Sequence, residues 1–192
     1  MINLPVAFLL LALTSMQLPA SLLLDVDGNE HVLPDPDAKA TIVYFVTQDC
    51  PISNRFMPEI RRICGEYASR DTRCLMAYVD ATATADEIRE HRQTYENTVP
   101  AVHDSNHALV GLADASVTPE AALFDRAGNL AYRGRINNFY ADLGTPRRQA
   151  TKHDLRDALE DVLAGRAVSQ PRTQAVGCFI SKFGTAQRQE SP

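Results

Sequence analysis

The sequence predicts an α/β sandwich built on a mixed sheet. Three observations carry that expectation. Two continuous apolar runs, Thr41 to Val46 and Cys74 to Val79, have the composition of strands buried on both faces. Each is followed by a segment with helical spacing. A hairpin pattern, Glu120 to Phe124 and Leu130 to Gly134 around the turn Asp125-Arg126-Ala127-Gly128-Asn129, then leads to a last amphipathic segment.

The elements follow in chain order. Leu22 to Leu33 reads as a first hairpin with Asp27 and Gly28 in its turn, and Pro34 to Ala38 as a polar connector. After the strand Thr41–Val46, a helix is expected from Pro51 to Ser69. Pro51 suits a first helical position, and Phe56, Ile60 and Ile63 lie on one face. Pro58 falls inside this helix and should kink it. Thr84-Ala85-Asp86-Glu87 is a capping box that opens a second helix, with Ile88 and Tyr95 facing inward. Pro100 to His103 suits a short strand and Asn106 to Ala113 a short helix. A polar loop, Asn137 to Ala150, precedes Thr151-Lys152-His153-Asp154, which should cap the last helix. Leu155, Leu159, Val162 and Leu163 form that helix's stripe, and Gly165 ends it. Ala167 to Pro192 has little periodicity and reads as an extended tail carrying Cys178. The domain expectation is therefore residues 1–20 as a leader, 21–166 as the folded body and 167–192 as the tail.

Composition narrows the function. The 192 residues are 45% apolar and 22% charged, ordinary for a globular chain. A net charge of −5 argues against nucleic acid as a partner. Met1 to Leu24 has no charged side chain and holds an apolar core, Leu4 to Leu13, of signal-peptide length. No Lys or Arg precedes that core, and Leu18 stands where cleavage after Ala20 would prefer a small residue. Export to a periplasmic or extracellular space is expected, with residues 1–20 either removed or kept as a membrane tether. The four cysteines, Cys50, Cys64, Cys74 and Cys178, are too few for a disulfide scaffold and suit an exported redox protein.

Cys50 is the residue around which the sequence is organised. It lies where the strand Thr41–Val46 ends in a polar corner and a helix begins. A thiol at a helix start faces unpaired N–H groups and the positive end of the helix dipole, and both favour the reactive thiolate. The expectation is a water-accessible, ionised sulfur. Asp49 beside it opposes ionisation, and Arg55 is close enough in sequence to offset that.

Taken together these residues resemble the thioredoxin-like superfamily, and within it the redoxin or AhpC/TSA branch that includes peroxiredoxins and exported thiol-disulfide proteins. The strand that delivers Cys50 to a helix start, Pro58 eight residues later, Val117-Thr118-Pro119 before the hairpin, and the hairpin Ala121 to Arg135 carry the resemblance. It covers about residues 22–165. Cys-Pro-Ile-Ser-Asn-Arg-Phe-Met-Pro-Glu from Cys50, Arg133 to Asn138, and Pro171 to Ile180 with its Gly177-Cys178 are similar to an exported bacterial subgroup. The resemblance implies a three-layer thioredoxin-like sandwich with a central mixed sheet, an N-terminal hairpin extension and a C-terminal tail. It implies a thiol oxidoreductase that needs no cofactor, with Pro119 in a cis-proline loop.

Two chemistries follow from the resemblance. In peroxide reduction, the antioxidant activity, Cys50 attacks the peroxide, Thr47 holds its oxygen, and Arg133 or Arg135 supplies charge. The threonine of the peroxidase pattern is present, but Val43 stands in place of its proline. In disulfide exchange, Cys50 forms a mixed disulfide with a protein partner, Ser53 hydrogen-bonds the sulfur, and Thr118 and Pro119 place a backbone edge against the partner. Ser53 occupies the second cysteine position of Cys-x-x-Cys, so release needs Cys178, a third thiol or an external thiol reductant.

Cys64 cannot resolve Cys50, since fourteen residues of helix at ~1.5 Å each place it about 21 Å away, against the ~7 Å that a disulfide spans. Cys178 either resolves Cys50 or staples the tail to Cys64 or Cys74. Stapling is favoured because an aperiodic tail needs anchoring, and a Cys64–Cys74 bond is a further option. His103 and His107 have i, i+4 spacing, but only His107 falls in the expected helix, so no metal is expected. Copper carriers of the Sco type would need a cysteine where Asn54 stands. The reading set against an enzyme is a partner-binding or metal-handling module on the same fold.

Overall fold

A computed structural model describes residues 21–181 of the chain; the leader expected over residues 1–20 lies outside them. Beginning the described chain is a hairpin of β1 (Ser21–Leu24) and β2 (Glu30–Leu33). The core sheet contains β3 (Ala40–Val46), β4 (Thr72–Tyr78), β5 (Ala101–His103), β7 (Glu120–Asp125) and β8 (Leu130–Gly134), in the order β5-β4-β3-β7-β8. β4 pairs with β3 and β5 with β4 in parallel, while β7 pairs antiparallel with β3 and β8 antiparallel with β7. The helices are α1 (Pro51–Tyr67), α2 (Ala85–Thr94), α3 (Ala108–Ala113) and α4 (Asp154–Leu163). Three short pairings complete the chain: β9 (Tyr140–Asp142) with β10 (Thr145–Pro146), and β6 (Val117–Thr118) with β11 (Cys178–Phe179). The remaining pairing is the β1–β2 hairpin itself. The result is the mixed α/β architecture that the sequence predicts.

β3 is buried at all seven positions because layers cover both faces of the sheet. Ile42, Tyr44 and Val46 pack with Phe56, Met57, Ile60 and Ile63 of α1 and with Leu155 and Leu159 of α4. Val43 and Phe45 turn the opposite way and pack with Leu109 and Val110 of α3. Ile180 of the tail belongs to this second layer.

Pro58 lies inside α1, as expected. The structure corrects three local expectations. Thr151 does not cap α4: the N-cap is His153, whose side chain makes no cap bond, and the Thr151 hydroxyl takes the side-chain amide of Asn138 instead. The loop after Asn137 contains the β9–β10 pair. The tail, expected to be merely extended, is bonded to the body over its described residues. Arg133 N–H donates to Pro171 O (3.0 Å), Thr173 N–H to Arg133 O (3.1 Å), and Ile180 N–H to Ser116 O (3.0 Å).

Candidate functional site

Cys50 is the N-cap of α1, with extended backbone angles, so its side chain points at the unpaired amides of the first turn. The Ser53 N–H donates to its sulfur at 3.4 Å, and the thiol donates to the Thr118 carbonyl at 3.0 Å. The peptide between Thr118 and Pro119 is cis. Thr118 also pairs with Cys178 across the β6–β11 ladder, and its hydroxyl donates to Cys178 O at 3.5 Å. β11 therefore lies along the edge that faces the thiol. Gly177 makes this approach possible, because a Cβ there would collide with the Thr118 carbonyl.

Against expectation, Cys50 is not water-accessible: only 1% of its surface is exposed. The side chains around it offset that burial. Desolvation alone would raise its pKa, yet hydrogen bonds from the Cys178 thiol and the Ser53 amide outweigh it and hold the thiol below its ordinary value. The Ser53 hydroxyl acts in the same direction but makes no bond of regular geometry, so the backbone amide is the firmer contributor. Cys178 shows the opposite balance. Burial and its hydrogen bond to Cys50 push it up to about 11. The two thiols are thus biased in opposite directions, and of the pair Cys50 is the one that ionises first.

The other sequence candidates divide into two groups. Thr47, Ser53, Thr118, Pro119 and Cys178 gather at the sulfur, with the hydroxyls of Thr47 and Thr118 3.5 Å apart. Arg133 and Arg135 are committed elsewhere. Arg133 pairs with Asp114 (2.8 Å) and Glu120 (3.7 Å), and Arg135 grips Asp154 with two bonds (2.8 and 2.9 Å). Arg135 lines a narrow slot beside Pro119, Phe56, Tyr140 and Val176, but its charge is spent on Asp154. Asp49 is exposed, and its charge bears on His91. Arg55 lies over the Phe139 ring.

The favoured staple is overturned. Cys64 is bonded to Cys74, with Cα atoms 5.9 Å apart, while Cys50 and Cys178 are free. Both members of the bonded pair are half-buried at the edge of the same core layer. His103 and His107 each donate a ring N–H to a backbone carbonyl, Asp80 and Val79 respectively, at 2.8 Å. No cluster of three or more metal-binding side chains occurs among the described residues.

Sequence reasoning missed the support behind the corner. Asn54 donates its side-chain amide to Gln48 O (2.9 Å) and accepts from His91 Nε2 (2.9 Å), while His91 Nδ1 meets the Tyr78 hydroxyl (2.8 Å). His91 is held below its ordinary pKa, chiefly by burial. No local pattern announces such a bridge, because its members come from α1, α2 and β4. The close approach at Gly177 had a visible signal in Gly177-Cys178, which only the paired β6 edge explains.

A family model for AhpC/TSA proteins matches residues 14–133. The chain belongs to the AhpC/TSA family. No curated protein matches it. Among solved structures, this AhpC/TSA chain is similar to a hypothetical protein from Sinorhizobium meliloti, with TM-score 0.74, 25% identity, and 86% of this chain and 93% of that one covered. An uncharacterized conserved protein from Geobacillus kaustophilus gives TM-score 0.74 at 24% identity, covering 88% and 92%. A putative thiol:disulfide interchange protein from Chlorobium tepidum gives TM-score 0.55 at 14% identity, covering 77% and 92%. These likenesses place the fold in the thioredoxin-like class.

Proposed function

We propose that this protein is a thiol-disulfide oxidoreductase whose working pair is Cys50 and Cys178. The observation that carries the reading is the tail strand, which pairs Cys178 with Thr118, the residue whose carbonyl takes the Cys50 thiol, so that the two free cysteines meet at one backbone edge. The pair does the work of a Cys-x-x-Cys motif, with Ser53 in the local position and the second thiol delivered from the far end of the chain. Cys50 attacks a partner's disulfide as thiolate, forming a mixed disulfide and releasing the partner's other sulfur. Cys178 then gives up its proton and attacks the Cys50 sulfur, releasing the partner's second sulfur and leaving a Cys50–Cys178 disulfide. The geometry favours exchange over peroxide reduction because Arg133 and Arg135, the cations proposed to polarise a peroxide, are tied to carboxylates.

Export fits the same reading. A half-buried Cys64–Cys74 bond suits an oxidising compartment, and the uncharged segment from Met1 to Leu24 suits a leader or tether. The structural neighbours include a secreted disulfide oxidoreductase from Mycobacterium tuberculosis, at 12% identity.

Peptide mapping of protein oxidised with a disulfide reagent tests the function. A Cys50–Cys178 linkage beside Cys64–Cys74, with insulin reduction that depends on Cys50, is the expected result. A Cys50 sulfenic acid trapped by dimedone after peroxide, with no Cys50–Cys178 linkage, overturns it in favour of peroxide chemistry.

A further inference from the structure

A cleft of about 630 Å³ opens beside the redox corner, lined by Arg55, Phe56, Arg61, Arg62, Asn137 and Phe139 among others. Its wall reaches the cis-proline side of the thiol site through two shared residues. Phe56 and Asn137 also line the narrow slot that contains Pro119 and Val176, next to Thr118 and two residues before Cys178. Phe56 and Cys50 pack in one apolar cluster, with Val176, Phe139 and Cys178 against it.

The charge of this cleft runs against that of the molecule. The chain carries a net −5, yet three guanidiniums face the cleft against one carboxylate, Glu59. Arg62 is bonded to Glu59 and Arg61 to Glu96. Arg55 differs: it rests on the Phe139 ring, 5.2 Å from its centroid, and among the described residues has no carboxylate partner. Stacking of this kind fixes a guanidinium's plane while leaving its N–H fork open to an anion. The cleft thus offers an open cation and two apolar rings, one of which, Phe56, belongs to the apolar cluster that holds Cys50.

We infer that this cleft binds the reductant of the Cys50–Cys178 pair, and that the reductant is a small thiol carrying a carboxylate, such as a cysteine-containing di- or tripeptide. The inference rests on the proposed exchange function, which consumes two thiols per turnover and needs a source for them. The first bound thiol, ionised, attacks Cys178 Sγ, the more exposed sulfur; the S–S bond breaks and Cys50 leaves as thiolate. A second small thiol attacks the mixed disulfide on Cys178. The products are both protein thiols and one small-molecule disulfide, so two electrons and two protons pass from the small thiols to the protein. Cys50 is the favoured leaving group because a thiol of lower pKa departs faster.

Two measurements separate the cleft from the redox reading. S-methylglutathione has the carboxylates and no free thiol, so its binding, followed by calorimetry on the full chain, reports the cleft alone. Saturable binding is expected, weakened about tenfold by Arg55→Ala and much less by Arg55→Lys. Absence of binding, or equal binding to Arg55→Ala, overturns the inference. The second measurement is the rate of reduction of the oxidised protein by glutathione and by neutral 2-mercaptoethanol. Arg55→Ala should slow glutathione about tenfold and leave 2-mercaptoethanol unchanged. Equal slowing of both would overturn the inference and mark Arg55 as merely structural. If no Cys50–Cys178 disulfide forms at all, the exchange function fails, while the calorimetry still decides whether the cleft takes such an anion.

Discussion

The two cysteine pairs of this chain put the same side chain to opposite uses. Cys64 and Cys74 stand ten residues apart in sequence, at the end of α1 and in β4, and are bonded. Cys50 and Cys178 come from the helix start and the tail strand, and are free. The bonded pair closes a short loop and limits the unfolded chain. The free pair sits among polarising groups: a helix-start amide, the Thr118 backbone and a second thiol. The lesson is that surroundings, not cysteine count or exposure, separate a staple from a reactive centre. Cys50 is almost wholly buried, yet its pKa falls because donors meet its sulfur.

The sharpest way to break this comparison is to remove each pair in turn. Cys50→Ser should lower insulin reduction by a factor on the order of 10³ or more, since the attacking sulfur is gone. Cys178→Ser should stop turnover one step later, with a mixed disulfide between Cys50 and the partner accumulating on a non-reducing gel. The same assay on Cys64→Ser/Cys74→Ser should give close to normal turnover. That double variant should instead lose about 2–3 kcal/mol of unfolding free energy in urea, the value for closing so short a loop. A double variant of normal stability but no activity would reverse the roles assigned to the pairs.

A smaller effect is expected when the tail is only loosened. Gly177→Val places side-chain atoms against the Thr118 carbonyl, so β11 should lift from β6 while the central sheet stays intact. Oxidation of the reduced protein to the Cys50–Cys178 form should slow about tenfold, and Cys50 should react with a bulky maleimide that it excludes in the native protein. An unchanged oxidation rate would show that β11 does not present Cys178.

The last comparison is one of pH. Alkylation by iodoacetamide should label Cys50 with a midpoint below the ordinary thiol value of 9.0, and Cys178 only as pH approaches about 11. Cys178→Ala should move the Cys50 midpoint upward, because the thiol hydrogen bond is lost. The linked stability has opposite signs. For Cys50, whose folded pKa is depressed, the contribution is present above the unfolded thiol value and disappears as pH falls through the folded one. For Cys178, whose folded pKa is raised, it is present below the unfolded value and disappears as pH rises toward about 11.

Much of this molecule is written in short stretches of sequence. The buried run at β3, the stripe Phe56-Ile60-Ile63, the Thr84–Glu87 capping box and the Asp125–Asn129 turn report their own structure, because strand, helix and cap preferences depend on neighbours a few residues away. Cys50 at a strand-to-helix corner was legible for the same reason. The identity of its partner was not. Cys178 lies in a segment without periodicity, and its place is set by a two-residue ladder to Thr118, a close approach at Gly177 and the burial of Ile180 under the sheet. The commitment of Arg135 to Asp154 and the open fork of Arg55 are likewise contacts between distant segments. Sequence alone thus determined the sheet, the helices and the reactive corner, since each follows from local backbone physics. Tertiary structure alone decided which thiol faces which, because that depends on how far-separated backbones fill one shared space.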